Sequence, residues 1–177
     1  MTKVLRDKLI PLSEENARYA GEINKLVKDA IEKTRRLARG LCPVYLASLG
    51  LETSLTELVD STASIFNIEC SFRCPRHIPI EDNSLATHLY YIAKESIHNS
   101  IEHGKSSKIV LELLNNKGIV SLSILDDGVG IKDTTKVGGI GLKIMQYRAR
   151  MIGASLRIES EPNGGTLVTC TFNLNKG

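Results

Sequence analysis

Glu95 and Asn99 lie four residues apart in a stretch of helical periodicity, so their side chains sit one turn above the other. Asn is a poor helix-interior residue that prefers caps and turns. Its place beside the buried stripe of Leu85, Leu89, Ile92, Ala93, Ser96, Ile97 and Ser100 suggests a polar task at the edge of a cleft. Taken alone, a boundary Asn satisfied by its neighbours is the simpler explanation. A second group, Asp126-Asp127-Gly128-Val129-Gly130-Ile131, directly follows an apolar run ending in Ile124-Leu125. A carboxylate at a strand end, followed by glycines, lets backbone come close to a flat ligand. A buried carboxylate also needs a donor, which an exocyclic amine can provide. The plain alternative is an Asp-Gly turn. The third group is Gly138-Gly139-Ile140-Gly141-Leu142, opening a helical stretch. Successive glycines let backbone N–H groups converge, and a helix N-terminus favours anions. Lys143 falls in that first turn, where a cation opposes the helix dipole and a bound polyphosphate would offset it. No parallel βαβ pattern surrounds the loop and no GK[ST] follows it, so neither a Rossmann nor a P-loop reading fits.

These groups need elements to hold them. Residues 13–41 have no internal Pro and carry Ile23, Leu26, Val27, Ala30, Ile31, Leu37 and Leu41 along one face, with charges on the others. This pattern predicts a long helix with a narrow apolar stripe. The stripe must be buried; a dimeric helical bundle is the preferred partner, and packing on the following domain the alternative. Pro43 ends the helix, and Leu49-Gly50-Leu51 forms a hinge into a second helix at about 52–66. Residues 68–74 alternate as a half-buried strand, and 83–103 form a third helix. Two hairpins follow, 108–114 with 119–125 around Asn116-Lys117-Gly118, and 155–160 with 166–173 around Pro162-Asn163-Gly164-Gly165. A glycine-rich loop and a helix at about 142–152 lie between them. The expected fold is α+β, a two-layer sandwich with helices on one face of a mostly antiparallel sheet, preceded by a long N-terminal helix. The expected domains are 1–48 and 49–177.

Composition narrows the possibilities. Aromatic residues make up 5% of 177 positions with no Trp, which argues against an aromatic platform for single-stranded nucleic acid. A net charge of +3 suits an anionic ligand but is too mild for a dedicated DNA binder. The four cysteines (42, 70, 74 and 170) lack zinc-ligand spacing and read as free thiols. No apolar run approaches the ~18 residues of a membrane span, and no signal peptide is visible, so the expected location is cytoplasmic.

In combination and in this order, the asparagine helix, the DxGxG after a strand, the GxGL before a helix and Gly164-Gly165-Thr166 before the last strand resemble the Bergerat (GHKL) ATP-binding fold. Histidine kinases, gyrase and MutL-type ATPases, and anti-sigma-factor kinases share that fold. A narrower resemblance joins Leu37–Pro43, Leu49-Gly50-Leu51 and Ser54-Leu55 to the linker of NarX/DesK-like sensor histidine kinases, and Gly141–Ala149 to their "GLxGMRERA". The resemblance implies ATP and Mg²⁺ as cofactors. Asp126 would bond the adenine amine, with Gly128 and Gly130 giving access and Thr166 near the base. Asn99 would hold Mg²⁺. Gly139, Gly141, Leu142 and the amides after them would cradle the phosphates, with Lys143, and His103 matches a histidine common in the family. Glu95 would polarise the acceptor histidine. Transfer of the γ-phosphate to histidine, and then to a response regulator, is the implied activity of a histidine protein kinase in a two-component system. The implied partners are a second copy through the N-terminal helices and a receiver domain, with no direct nucleic acid and with membrane contact only through upstream regions.

One feature departs from the family. None of His77, His88, His98 or His103 sits in a motif like the family's "HDxLGQ". Residues 1–9 resemble the tail of the helix that follows that motif. The expectation is a fragment without its acceptor histidine, able to bind ATP but not to phosphorylate itself. An anti-sigma-factor serine kinase, or a non-catalytic ATP-binding dimerisation module, are the alternatives.

Overall fold

A computed structural model describes residues 16, 18, 19, 21–23, 25–27, 46–130 and 139–174, with 46–49 by backbone alone. The chain divides into two compact units, Met1–Pro43 and Val44–Gly177. The division falls a few residues before the boundary expected at 48/49. In the first unit the described residues between 16 and 27 are helical, and Ile23, Leu26 and Val27 of the expected stripe are exposed. The rest of the expected helix and residues 1–9 lie outside the described residues, as do Cys42, Ile131 and Gly138.

The second unit begins with helix α1 (Leu46–Phe66), followed by strand β1 (Glu69–Arg73), α2 (Asn83–Glu102), β2 (Lys108–Asn116), β3 (Ile119–Asp126), α3 (Ile140–Met151), β4 (Ser155–Ser160) and β5 (Thr166–Asn173). The hinge expected at Leu49-Gly50-Leu51 is a break inside α1. Gly50 sits at φ 76°, ψ 168°, a conformation essentially reserved for glycine. Asp82 caps α2, its carboxylate accepting from the N–H groups of Ser84 (2.7 Å) and Leu85 (3.2 Å).

The five strands form one sheet in the order β1-β2-β3-β5-β4. β1 pairs with β2 in parallel, across the α2 connection, and the remaining pairs are antiparallel. The first hairpin turns through Lys117 (φ 54°) and Gly118 (φ 88°), and the Asn115 side-chain oxygen accepts from the Gly118 N–H. Two successive positive φ values suit the twist of an antiparallel ribbon.

Period-two alternation turns Ile109, Leu111 and Leu113 of β2, Val120, Leu122 and Ile124 of β3, and Val168, Cys170 and Phe172 of β5 toward the helices. The facing side of α2 supplies Ala86, Leu89, Ile92, Ala93 and Ile97, and α1 supplies Leu51, Leu55 and Val59. Full burial of each large aliphatic side chain contributes about 1.5–3 kcal/mol. Burial also raises the thiol pKa of Cys70 to about 11 and of Cys170 to about 12. Both are protonated near neutrality, and with Cys74 they are free cysteines.

α3 is tied down more lightly. Of its residues only Met145 and Ala149 are buried, whereas Ile140, Ile144, Tyr147 and Met151 are exposed. It rests on α2 through the Ser96 hydroxyl, which lies 3.3 Å from the Met145 sulfur, and through the Arg148 guanidinium, 4.2 Å above the Tyr91 ring centre. Together these features make the α+β arrangement expected from the sequence, with helices packed on a mixed five-stranded sheet.

Candidate active site

A cavity of about 440 Å³ opens between the last two turns of α2, the C-terminal end of β3 and the start of α3. α2 forms one wall with Glu95, Ser96, His98, Asn99, Ser100 and His103. The end of β3 gives Asp126, and the loop after it Gly130. Gly139, Ile140, Gly141, Leu142 and Met145 close the α3 side, and Ile158, Thr166 and Val168 of the second hairpin line the apolar floor.

Asp126 is 6% exposed, so its carboxylate must be satisfied by the protein or by a ligand. Oδ1 accepts from the Gly128 N–H at 2.8 Å, the Ser106 hydroxyl at 3.1 Å and the Thr166 N–H at 3.2 Å. Oδ2 accepts from the Ser100 hydroxyl at 2.7 Å. Three donors saturate Oδ1, and Oδ2 keeps a lone pair for a donor from the cavity. Neither serine was expected as an anchor of Asp126, although Ser100 was expected in the buried stripe. Their signal is a hydroxyl (Ser100) inside the apolar stripe of α2, where a buried donor demands a partner.

The neighbouring Asp127 has a separate task. It accepts from the Ser107 N–H (2.8 Å) and hydroxyl (2.6 Å) and from the Lys108 N–H (2.8 Å). The Ser107 hydroxyl, above all, holds its carboxyl below the usual range. The exposed Asp127 therefore locks the start of β2 to the end of β3, next to Asp126.

Asn99 borders the cavity with its side-chain nitrogen buried and unpartnered. A buried amide nitrogen without a partner is an unmet demand for an acceptor. The backbone carbonyl of Asn99 accepts from the N–H groups of His103 (2.9 Å) and Gly104 (3.0 Å), closing the helix where His103 forms the C-cap. Glu95 lies one turn earlier, its carboxylate against Gly141. No side chain caps α3 at Gly139, and its first turn holds no acidic residue.

Most of the residues expected from the sequence come together here: Glu95, Asn99, His103, Asp126, Gly130, Gly139, Gly141, Leu142 and Thr166 all line the cavity. Gly128 and Lys143 do not. Gly128 packs where a side chain would strike the Gly104 carbonyl and the Ser106 hydroxyl (2.6 Å), so its smallness serves a crossing of two loops. Lys143 points to solvent from the first turn of α3. Thr166 meets Asp126 through its backbone N–H, at the entrance of β5.

Residues 84–176, just over half of the chain, match the family of histidine kinase-, DNA gyrase B-, and HSP90-like ATPases. The chain belongs to this ATPase family. A sensor protein VraS of Staphylococcus saprophyticus is 33% identical over 161 residues, covering 87% of the chain and 44% of that protein. The VraS of Staphylococcus epidermidis is 30% identical over the same shares. The chain thus spans less than half the length of these relatives. In fold, the blue-light activated histidine kinase EL346 of Erythrobacter litoralis aligns with a TM-score of 0.61 at 19% identity, covering 71% of this chain and 42% of that one. The ATP binding domain of PrrB from Mycobacterium tuberculosis aligns at 0.54 and 20% identity, covering 67% and 90%. The ATPase family domain of this chain is an ATP-binding catalytic domain of histidine-kinase type, and the cavity lies within it. No helix among the described residues is long and apolar enough to cross a membrane.

Proposed function

We propose that this domain binds ATP with Mg²⁺ and passes the γ-phosphoryl group to a histidine, as the catalytic part of a sensor histidine kinase of the NarX/DesK-like subfamily. The observation that carries the proposal is the buried Asp126 carboxylate in the cavity wall, with three donors on Oδ1 and one on Oδ2. An acceptor-only group there selects a ligand edge that donates, as the adenine 6-amino group does. Guanine would present its O6 acceptor to the carboxylate and be rejected, and sites built around a buried polar group discriminate steeply.

The triphosphate runs toward the start of α3, whose N–H groups and dipole favour anions. The Asn99 side chain suits this end: it would hold the divalent ion, its unpartnered amide nitrogen being left for a phosphate oxygen. No group of three or more His, Cys, Asp or Glu side chains able to hold a metal occurs among the described residues. Mg²⁺ suits such a site, since it takes most of its ligands from phosphates and water. When bound, the ion supplies charge neutralisation at the phosphates. The residues of this chain position the nucleotide, keep water from the base and orient the acceptor. In the transfer, an imidazole nitrogen attacks the γ-phosphorus, the bond to the β–γ bridging oxygen breaks, and ADP leaves. Glu95, at the phosphate end of the cavity, orients the acceptor histidine through its other ring N–H.

The N-terminal unit, with Ile23, Leu26 and Val27 along one helix face, belongs to the dimerisation region of the full protein, and a receiver domain of a response regulator takes the phosphoryl group onward. Calorimetric titration with a non-hydrolysable ATP analogue and with its guanine counterpart tests the proposal. Mg²⁺-dependent binding of the adenine form alone is expected; equal affinity for both, or none for either, refutes it.

A further inference from the structure

Two glycines flank Ile140 at the start of α3, and they stand in different surroundings. A Cβ on Gly139 would meet nothing within 4 Å. A Cβ on Gly141 would collide with the Glu95 side chain, reaching Oε1 first, then Cδ at 3.0 Å and Cγ at 3.5 Å. Those three atoms are its nearest neighbours from outside its own turn of helix, and no backbone is among them. Gly141 also has ordinary helical geometry, since it is absent from the positive-φ glycines. Neither backbone conformation nor a tight loop crossing therefore demands glycine here. We infer that Gly141 is a positioning residue whose missing side chain seats the Glu95 carboxylate against the first turn of α3, rather than a residue that only makes room for phosphate.

This inference rests on the proposed role of Glu95 and adds a physical requirement to it. The first turn of α3 has no side-chain cap, no acidic residue and one lysine, Lys143. A carboxylate delivered from α2 lies at the positive end of the helix, where charge and dipole agree. Because Glu95 is on α2 and the turn is on α3, the seat registers the phosphate-binding turn against the group that acts on the acceptor. Alanine at 141 favours the helix and displaces only the far end of a flexible side chain, so the fold tolerates it. What moves is the carboxylate itself, and a shift of about 1 Å in a reacting group can cost about 100-fold in rate.

The test compares Gly141→Ala, Glu95→Ala and the Glu95→Ala/Gly141→Ala pair. Each is measured for affinity toward an ATP analogue and for phosphoryl transfer from ATP to a histidine-bearing helix supplied in trans. Crystal structures of the wild type and Gly141→Ala locate the Glu95 side chain. In Gly141→Ala, transfer is expected to fall about 10- to 100-fold with nucleotide affinity within about threefold of wild type. In the Glu95→Ala background the second change should add no further loss, the non-additivity of two residues acting as one unit. Multiplicative losses in the pair, an equal drop in affinity and transfer, or an unmoved Glu95 side chain overturns the inference while leaving the kinase function standing. If Glu95→Ala transfers at the wild-type rate, the role given to Glu95 is wrong; the crystal structures still decide whether Gly141 seats its carboxylate.

Discussion

Replacing Asp126 with Asn tests the base-recognition chemistry, because the surrounding hydrogen bonds allow the change to be worked through atom by atom. The amide oxygen can take the place of Oδ1 and keep the donors from Gly128, Ser106 and Thr166. The amide nitrogen then replaces Oδ2 beside the Ser100 hydroxyl. That hydroxyl has a second acceptor, the Ser96 carbonyl at 3.0 Å, so it can turn its hydrogen there and accept from the new amide. The internal network survives, and the cost in fold stability should stay near a single neutral hydrogen bond, about 1 kcal/mol. The face toward the cavity changes more. An acceptor becomes a donor, opposed to the donating amine of adenine. A hydrogen bond to a charged group is worth about 1.5–3 kcal/mol, so affinity for ATP should fall about 10- to 150-fold. Calorimetry with a non-hydrolysable ATP analogue measures the loss, and thermal unfolding without nucleotide provides the control. Unchanged affinity would refute the assignment of Oδ2 to the base. A collapse of the unfolding transition would refute the rearrangement of Ser100.

Asn99→Ala should weaken Mg²⁺-dependent nucleotide binding by about tenfold, and binding in the presence of a chelator by less, as paired titrations would register. Gly165 sits at φ 98°, and a Cβ there would run into the Asp126 carbonyl, so Gly165→Ala should cost about 2 kcal/mol or more of unfolding free energy by denaturant titration, since neither backbone can yield easily. Asp127 has a carboxyl pKa depressed chiefly by its bond from Ser107; its contribution is therefore present above the ordinary value of 3.8 and lost as pH falls through the lower folded value. Melting curves from neutral to strongly acid pH should show Asp127→Asn destabilised at neutrality and the gap to wild type closing in that acid window.

Local chemistry wrote much of this site into the sequence. Asn99 beside an apolar stripe, Asp126 at the end of a strand and the glycine pair before α3 declared themselves by residue type and position, and the cavity gathers them. The hairpins were equally legible, because turns such as Lys117-Gly118 demand positive φ and strand alternation demands one buried face. What stayed hidden depends on distant partners. The parallel pairing of β1 with β2 is set across the length of α2 and has no local signature. Ser106 looked like an ordinary loop residue, and Gly128 was expected to give access to the base, whereas its smallness serves the crossing of the two loops. The contact of Glu95 with Gly141 joins two helices whose approach follows from packing on the sheet, as does the Arg148–Tyr91 contact.

The donors that converge on Asp126 come from 26, 20 and 40 residues away along the chain, as well as from its own turn. Such a nest cannot assemble in a partly collapsed intermediate holding only one hairpin or one helix; it requires α2, the β3 terminus and the β5 entrance simultaneously. Nucleotide capture thus reports that folding has finished. A saturating nucleotide would stabilise the folded state against global unfolding, so newly made chains gain protection from proteolysis only after the last strand is in place.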